Sequence, residues 1–561
     1  MKEEENRIQA PKKRGTVWFC LYAAVLAVLY VTLLGDIPIY AISNAVHDDL
    51  LMVEIAEEII GGPDYHVSVL SKGWAYPLFL RVMHKLGLAY IPTMLGLNAL
   101  VSLLAAFALR RPREPFRPFH YVLYAALLLN PALSSMQVLQ RVYRNGFSTM
   151  LAFVVIVAMI AVYLRRYESP RTWIVWIAGM CAALPLFWHS REDAFWLVPF
   201  MIGVAAVTVG SALVCGRKRR AVLILAAMLM PVACLSASTQ VQRALNEKRY
   251  GMPIVNELSE GEFPRVMRAI YAVDMDEPTY VSASREKIRL LYDYSPTLQS
   301  MQSALEIYLD SGANFARLEE NRINGETENG WFFWCIRDAA QTKGFCDTLP
   351  QAQAFWGKMA DELEAALDSG ALARRMTMPS ALMPPWVKGT GERLWKALLE
   401  IPGYVASFAD TQAQTMISVD DGEGSIAHFE EMTHSAALRS DQDAHYARAS
   451  QAVGRQQKVA AAYQMIWPAV SFLGRLCALA YICVLMMRRQ SGMLTRENTW
   501  MLAGIAGALL VLYGGVGYNH AESCNSIITL YLSSAYPLVI FFDLLAIDVL
   551  FQTAKHLKVK K

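Results

Sequence analysis

Residues 17–35 read VWFCLYAAVLAVLYVTLLG, and no charged side chain interrupts them. A helix needs about 20 consecutive apolar residues to cross the hydrocarbon core of a bilayer. The basic residues Lys12, Lys13 and Arg14 precede this segment, and no small-residue cleavage site follows it. We therefore expect a retained transmembrane helix rather than a removed signal peptide.

Further apolar runs along the chain have the same character. They cover residues 91–109, 119–136, 148–164, 172–188, 195–214, 221–239, 465–487, 498–517 and 530–551. Together with the first segment they predict an all-α polytopic membrane protein with about ten transmembrane helices.

Basic residues cluster before the first apolar run and after every second run along the chain. The clusters occupy residues 12–14, 110–117, 165–171, 217–220, 488–496 and 555–561. With ten spans, every cluster falls on the same side of the membrane, which the positive-inside rule makes cytoplasmic. We expect a plasma-membrane protein with both termini in the cytoplasm.

Composition indicates a membrane part joined to a sizeable aqueous part. The 561 residues are 55% hydrophobic and 18% charged, and mean hydropathy is +0.27. The expected units are a polar cytoplasmic tail (1–16), a catalytic membrane module with a first outer loop at 36–90 (17–239), a mostly helical extracytoplasmic domain inserted between helices 7 and 8 (240–464), and the last three spans with a basic tail (465–561). The net charge of +3 gives no reason to expect a nucleic-acid partner.

The sequence leaves one disulfide open. Cys335 and Cys346 both fall in the predicted extracytoplasmic domain, where the redox environment permits a bond. Their spacing does not establish the geometry that a disulfide requires.

The first polar motif is His47-Asp48-Asp49, just beyond the first span. A carboxylate at the membrane surface can act as a general base on a hydroxyl group, or hold a divalent cation against a phosphate. The alternative is structural, because aspartate also caps helix N-termini.

The second motif is His189-Ser190-Arg191-Glu192-Asp193, in a short loop between two spans. The arginine can bind a phosphate, and the two acids can serve as base, metal ligand or acceptor of sugar hydroxyl groups. The alternative is a local ion pair. Both motifs are predicted on the outer side, where they can meet in one site.

Three further outer segments carry polar or aromatic side chains. Residues 140–145 include Arg141, Tyr143 and Arg144, residues 71–77 include Lys72, Trp74 and Tyr76, and residues 518–522 include His520. The basic groups suit an anionic lipid phosphate, and the aromatic rings suit a sugar. The alternatives are contact with lipid headgroups and turns with interfacial aromatic residues. The sequence contains neither a Walker A loop nor a G-x-S-x-G motif.

These motifs together resemble the GT-C superfamily of polytopic glycosyltransferases, which use polyprenyl-phosphate sugars. The resemblance rests on the acidic first loop, on KGWAYPLFL at residues 72–80 and on the short Arg-Glu-Asp loop. It covers residues 15–240 and is closest to the bacterial branch of protein mannosyltransferases and aminoarabinose transferases.

The resemblance implies a role for each outer polar residue. Asp48 or Asp49 would be the catalytic base or a metal ligand, with Glu192 and Asp193 as the later acidic pair. Lys72, Arg144 and Arg191 would bind the donor phosphate. Further substrate contacts would come from His47, Tyr76, Tyr143, His189 and His520. No cofactor is certain, and a divalent cation, Mg²⁺ or Mn²⁺, held by Asp49 and Asp193 stays open.

The expected activity is transfer of a sugar from a polyprenyl-phosphate donor in the bilayer to an envelope glycan, lipid or protein. Two alternatives stay open at this point: a transporter or flippase of lipid-linked glycans, and a non-catalytic envelope scaffold. A transporter is expected to carry intramembrane charges, and the predicted spans contain few, namely Arg475, Asp543 and Asp548.

Overall fold

The computed structural model describes residues 2–42, 47–59, 64–111, 114–419, 424–488 and 493–559. Within these ranges the chain is helical, with isolated β-bridges and no β-strand. The all-α class predicted from the sequence is confirmed.

The N-terminal part contains nine α-helices. They are α1 (Lys2–Leu34), α2 (Asp49–Glu58), α3 (Ala75–Lys85), α4 (Tyr90–Leu109), α5 (Pro118–Leu128), α6 (Asn145–Arg165), α7 (Ile174–Trp188), α8 (Val198–Val214) and α9 (Lys218–Tyr250). Short 3₁₀ turns at Val69–Ser71, Pro131–Ser134, Pro170–Thr172 and Ala194–Leu197 and a π-helical turn at Met136–Gln140 connect them.

The remaining helices follow in two groups. The central group is α10 (Phe263–Ala272), α11 (Arg285–Tyr292), α12 (Pro296–Ser300), α13 (Gln302–Ala313), α14 (Glu319–Ile323), α15 (Asn329–Thr342), α16 (Leu349–Asp368), α17 (Thr390–Ala406) and α18 (Ser425–Thr433). The C-terminal group is α19 (Tyr446–Arg488), α20 (Met493–Glu522), α21 (Thr529–Leu532) and α22 (Ala535–Val559).

Among the described residues, eight helices are long and apolar enough to cross a membrane. These segments are Gly15–Leu34, Tyr90–Leu109, Asn145–Arg165, Ala194–Val214, Lys218–Tyr250, Tyr446–Met486, Arg496–Glu522 and Ala535–Lys555. Their number, length and hydropathy are those of a multi-pass membrane protein.

The other two predicted spans form shorter helices. The run 172–188 contains α7 (Ile174–Trp188), which has 15 residues. The run 119–136 is interrupted after α5, where Asn130 precedes Pro131. Proline lacks an amide hydrogen and disfavours helical geometry in the residue before it, so the helix ends there. The count of ten crossings stays a prediction.

Helix α6 lies at the centre of the membrane bundle. In its apolar window 89% of the residues are buried, and it packs against α4, α7 and α8. It begins at Asn145, directly after the outer segment that carries Arg141 and Arg144. Because α6 is enclosed on most sides, it holds this segment in a fixed position.

Two of the predicted basic clusters pair with acidic residues that lie close in sequence to the last two clusters. Arg111 and Arg166 both pair with Glu497, which follows the cluster at 488–496. Arg117 pairs with Asp548 near the last cluster, at 2.9 Å. These contacts bring together clusters that lie hundreds of residues apart in the sequence.

The aqueous part has its own hydrophobic core, formed by α10, α11, α13, α15 and α16 between Leu258 and Leu382. Later residues, including Ile401, Phe408 and Phe429, instead join the core of the membrane helices. Helices α9 and α19 run without a break through the predicted boundaries at residues 239 and 464. The domain limits themselves stay predictions.

Cys335 and Cys346 are both buried free thiols. The thiol of Cys335 donates to the carbonyl oxygen of Tyr308 at 3.1 Å. The structure therefore presents this pair in the reduced form.

Candidate functional site

Asp48 lies at the start of α2, but its side chain makes no helix-capping hydrogen bond. Its Oδ1 atom accepts hydrogen bonds from Lys72 Nζ at 3.0 Å and from Tyr143 Oη at 2.9 Å. The side chain keeps 41% of its surface exposed. The carboxylate therefore faces a cluster of polar groups and stays open to a ligand.

Asp49 is completely buried beside it. The guanidinium group of Arg141 donates to Oδ2 of Asp49 through Nε at 3.0 Å and Nη2 at 2.5 Å. The same Nη2 lies 3.9 Å from Oδ2 of Asp48. Asp49 thus fixes Arg141, and Arg141 in turn adds positive charge next to Asp48.

Lys72 is the most enclosed cation of the cluster, with only 6% of its side chain exposed. Its ammonium group also donates to Tyr143 Oη at 3.4 Å. The ring centroids of Tyr143 and Trp334 lie 5.8 and 5.2 Å away. Aromatic faces stabilise a cation at such distances, so the position of Lys72 is set from several sides.

The loop that carries Lys72 touches the second acidic motif through Gly73. The amide of Ala75 donates to the carbonyl oxygen of His189 at 3.2 Å, and the Trp74 ring lies 5.3 Å from the His189 ring. A Cβ atom on Gly73 would stand 1.8 Å from that same carbonyl oxygen. Glycine is therefore required for the two loops to approach this closely.

Arg144 connects the second acidic motif to the first. Its Nη1 atom donates to Glu192 Oε1 at 2.6 Å and to the carbonyl oxygen of Ser190 at 3.1 Å. Its guanidinium group also lies 5.2 Å from the Tyr143 ring. The two acidic motifs, separated in the sequence by about 140 residues, thus meet in one polar cluster.

Arg191 and Asp193 form a two-pronged ion pair within their own loop, at 2.7 and 2.6 Å. This contact is the local ion pair that was the structural alternative for the second motif. Asp193 remains 48% exposed on its side chain, whereas Arg191 is mostly buried.

Electrostatics keep the open acids of the cluster ionised. Burial favours the neutral acid, but Lys72 and Arg141 outweigh it and hold the pKa of Asp48 well below its usual value of 3.8. Arg144 does the same for Glu192 against its own burial, so the pKa of that acid is also lowered. Burial would lower the pKa of Lys72, but Tyr143 and Asp48 raise it. At neutral pH Asp48 and Glu192 are therefore ionised and paired with Lys72 and Arg144. Burial raises the pKa of Asp49 in spite of its contact with Arg141.

A cavity of about 460 Å³ opens beside the cluster, between the first outer loop and the end of α9. Its lining is mostly apolar and includes Leu78, Val241 and Leu245, together with Lys72, Trp74 and polar residues of α9 such as Gln242. The cavity therefore combines an apolar groove with an ammonium group.

The aqueous domain supplies one wall of the site through α15. The Trp334 ring stacks on His47 with centroids 4.6 Å apart and planes 8° apart. His47 also bonds Asp338 through Nε2 at 3.0 Å and Ser68 through Nδ1 at 3.1 Å. Trp334 and Asp338 are site residues that sequence reasoning missed. The aromatic run at residues 330–334 was the signal, but nothing in the sequence places it against residue 47.

Further contacts join the same loop to the aqueous domain. Tyr65 donates to Glu257 at 2.9 Å, and the amide of Val67 donates to Gln341 at 3.1 Å. The first outer loop is thus held between the membrane helices and the aqueous domain.

Three of the predicted substrate contacts have other partners in the structure. Tyr76 is fully buried and bonds the Tyr90 hydroxyl at 3.2 Å. His189 Nε2 bonds Ser238 at 3.1 Å. His520 contacts Arg317 at 2.7 Å and accepts from the Ser526 amide at 3.3 Å.

The carboxylates do not fit a divalent cation in this arrangement. Across the described ranges, no three His, Cys, Asp or Glu side chains come close enough to form a metal-binding group. Asp49 is bound by Arg141 and Asp193 by Arg191. A hard cation prefers several oxygen ligands, whereas these oxygens already face guanidinium groups.

The chain matches no protein-family model and no curated protein sequence. Any function must therefore be argued from the site itself, which offers an exposed ionised carboxylate, buried cations and an apolar cavity.

Proposed function

We propose that this protein is a membrane glycosyltransferase of the GT-C type. It transfers a sugar from a polyprenyl-phosphate donor to an envelope glycan, lipid or protein on the outer face of the plasma membrane. One observation carries the proposal: the carboxylate of Asp48 is in contact with the buried ammonium of Lys72, and Lys72 lines a mostly apolar cavity.

The cavity suits the donor. The isoprenoid chain of a donor in the bilayer can pass to the apolar wall that includes Leu78 and Leu245 without exposure to water. The phosphate would then lie against Lys72, with Arg144 as the second cation. Cations at this position stabilise the negative charge that the leaving phosphate acquires in the transition state.

Asp48 suits the role of general base, with Asp49 as a positioning residue. The acceptor oxygen attacks the anomeric carbon, the bond from that carbon to the phosphate oxygen breaks, and the electron pair leaves with the phosphate. The acceptor proton passes to the carboxylate of Asp48. When the donor phosphate takes Lys72 as its partner, Asp48 loses that ion pair and its pKa rises, which makes it a better proton acceptor.

The proposed topology has ten crossings, cytoplasmic termini and an extracytoplasmic domain at 240–464. The contacts of the basic clusters support it, because Arg111, Arg166 and Arg117 pair with acidic residues that lie close in sequence to the last two clusters. The short helices α5 and α7 would be the two crossings beyond the eight long ones.

The proposed chemistry uses side-chain cations and no metal ion. Lys72, Arg141 and Arg144 provide the positive charge that a divalent cation provides in other transferases. We expect transfer to continue after removal of divalent cations with EDTA.

The decisive experiment is a transfer assay in proteoliposomes with a panel of labelled polyprenyl-phosphate sugars. Transfer with the unmodified protein and its loss in Asp48→Asn, by a factor of about 10²–10⁴, would support the proposal. The matched control is Asp368→Asn, which alters an exposed acid of the aqueous domain that pairs with Arg374.

Full activity of Asp48→Asn would overturn the assignment of the base. Movement of the lipid-linked sugar across the bilayer without any transfer would instead favour the flippase.

Among the charged residues within the spans, Asp548 pairs with Arg117 and Arg475 donates to the carbonyl oxygen of Pro402. One carboxylate oxygen of the buried Asp543 has no hydrogen-bond partner in the part of the chain that the structure describes, and Asp543→Asn should impair movement of the lipid-linked sugar if the protein is a flippase.

A further inference from the structure

Helix α17 has a surface that the proposed transfer reaction does not use. Trp395 is 62% exposed and Leu399 is 63% exposed, and Trp386, just before the helix, is 54% exposed. Large apolar side chains grouped at a protein surface mark a contact with another molecule or with a membrane.

The exposed arc of α17 is divided into two flanks. Successive helical residues are about 100° apart, so Trp395, Leu399 and Pro402 share one flank. Glu392 and Lys396 lie on the other flank, where they form an exposed ion pair at 2.7 Å. This division of the exposed surface is typical of a helix that lies in a membrane interface.

The buried face of α17 packs against α20, a candidate span. These contacts determine how far along α20 the helix α17 lies. Leu394, Leu398 and Ile401 pack around Gly517 of α20. Near the N-terminus of α17, Arg393 pairs with Glu522, the last residue of α20, and donates to the carbonyl oxygen of Ala521 at 2.9 Å.

These contacts place α17 closer to the middle of α20 than Glu522, the last residue of that helix. Five residues separate Gly517 from Glu522 in α20, which corresponds to about 7–8 Å along the helix axis. Interfacial helices bury their apolar face about 5–10 Å into the boundary between headgroups and acyl chains. The depth of α17 therefore agrees with that of an interfacial helix.

A contact with α19, a second candidate span, supports the same orientation of α17. Arg475 of α19 lies within an apolar run and donates to the carbonyl oxygen of Pro402 at 3.3 Å. Pro402 belongs to the apolar flank, so this flank is on the deep side. Helix α19, which α17 contacts through this hydrogen bond, also has exposed apolar residues that include Met465 and Phe472.

Aromatic residues lie beside this surface, within about one helical turn of Glu522. Trp386 stacks near Tyr518 with ring centroids 6.2 Å apart, and the Tyr518 hydroxyl donates to the carbonyl oxygen of Pro384 at 2.6 Å. Tryptophan and tyrosine concentrate at the headgroup level of membranes, which fits their place at the outer end of α20.

We propose that α17 is an interfacial helix whose flank of Trp395, Leu399 and Pro402 is immersed in the lipid leaflet around the Glu522 end of α20. The lipid surface anchors the aqueous domain beside the spans. The agreement in depth and the contact with α19 favour lipid over a protein partner as the occupant.

Photo-crosslinking of the full chain in phosphatidylcholine–phosphatidylglycerol nanodiscs tests this inference. The crosslinker p-benzoylphenylalanine is placed at Leu399, with Glu392 of the polar flank and Ile323 of α14 as control positions; Ile323 is 74% exposed. We expect lipid adducts at Leu399, several-fold above Ile323, in intact-mass spectra. No excess at Leu399, or a crosslink to a second protein chain, would overturn the proposal.

A second measurement needs no unnatural residue. Brominated lipids quench tryptophan fluorescence on contact, and Trp395→Phe should remove a quenched component from the emission. The control is Trp331→Phe, which removes a partly exposed tryptophan of α15. Equal quenching losses in the two variants would contradict insertion of α17.

Discussion

The carbonyl oxygen of His189 occupies the space that a Cβ atom on Gly73 would need, since only 1.8 Å would separate the two atoms. The backbone of the first outer loop therefore touches the backbone of the second acidic loop directly. This contact determines how Lys72 and Glu192 can share one cluster.

Replacement of Gly73 tests that contact. In Gly73→Ala the two loops must separate, and we expect a loss of about 1–3 kcal/mol in the free energy of unfolding, as for other overpacked sites. Thermal unfolding in detergent and the transfer assay should both show the defect.

The control for this substitution is Gly96→Ala in α4, where an added Cβ meets no atom within 4 Å. Alanine is favoured over glycine in a helix, so this variant should be at least as stable as the parent. Equal behaviour of the two variants would show that the loops do not need the close approach.

Asp49 is expected to be more important for stability than for catalysis. Asp49→Asn leaves Arg141 without its buried carboxylate, and removal of one partner of a buried ion pair costs about 3–5 kcal/mol. The melting temperature should fall strongly. The exposed pair of Glu392 and Lys396 provides the control, since Glu392→Gln should change the melting temperature little. A stable but inactive Asp49→Asn variant would instead make Asp49 the base.

The ion pair of Asp48 and Lys72 should set the acid limit of the protein. The pKa of Asp48 is lower in the folded protein than its usual value of 3.8. A lowered folded-state pKa means that the pair contributes its full stability above pH 3.8 and loses it as the pH falls through the lower, folded-state pKa. Titration of Asp48 should therefore not reduce the melting temperature between pH 5 and pH 8.

Replacement of Lys72 should raise the pH at which the protein loses stability in acid. In Lys72→Met the pKa of Asp48 rises because burial is no longer opposed by the ammonium group. The acid side of the melting-temperature profile should then shift to higher pH. The exposed Lys396→Met variant should retain the parent profile, and an unshifted profile in Lys72→Met would refute the coupling.

The cavity beside α9 should determine how the lipid chain binds. Leu245→Trp fills part of its wall, so we expect a several-fold higher KM for a long-chain donor with little change in kcat. A donor analogue with a short chain should be affected less. Leu229→Trp, an exposed position of α9 outside the cavity lining, is the control. An unchanged KM in Leu245→Trp would place the lipid chain elsewhere.

The two cysteines of α15 and the following turn should behave as protected thiols. Burial raises the pKa of Cys335 and of Cys346 to about 12, so very little thiolate forms at pH 8. Maleimide should label them only after denaturation, whereas Cys524, which is not fully buried, should react earlier. A count of seven thiols instead of nine in denaturant without reductant would indicate a disulfide.

Local signals in the sequence predicted much of the fold. Apolar length identified the helices suited to span a membrane. The pair Asn130-Pro131 indicates that α5 must end. This signal was missed because the pair lies within residues 119–136, which are apolar on average.

Long-range contacts limited the prediction of the site. Asp48, Lys72 and Glu192 were found because each lies in a polar motif between predicted spans. Trp334 was not assigned to the site, because its contact with His47 joins residues almost 290 positions apart and leaves no periodic pattern. Asp338 contacts the same histidine and was missed for the same reason.

The contacts between the first outer loop and the aqueous domain also impose an order on biosynthesis. Tyr65 and Glu257 are 192 residues apart in the chain. At ordinary rates of translation, Tyr65 is made about 10–40 s before its partner. During that interval six intervening spans of the proposed topology must be inserted while the loop waits on the far side without Trp334. In that topology the newborn chain cannot complete the contacts of Tyr65 and His47 until the segment that carries Glu257 and Trp334 has been translocated and folded.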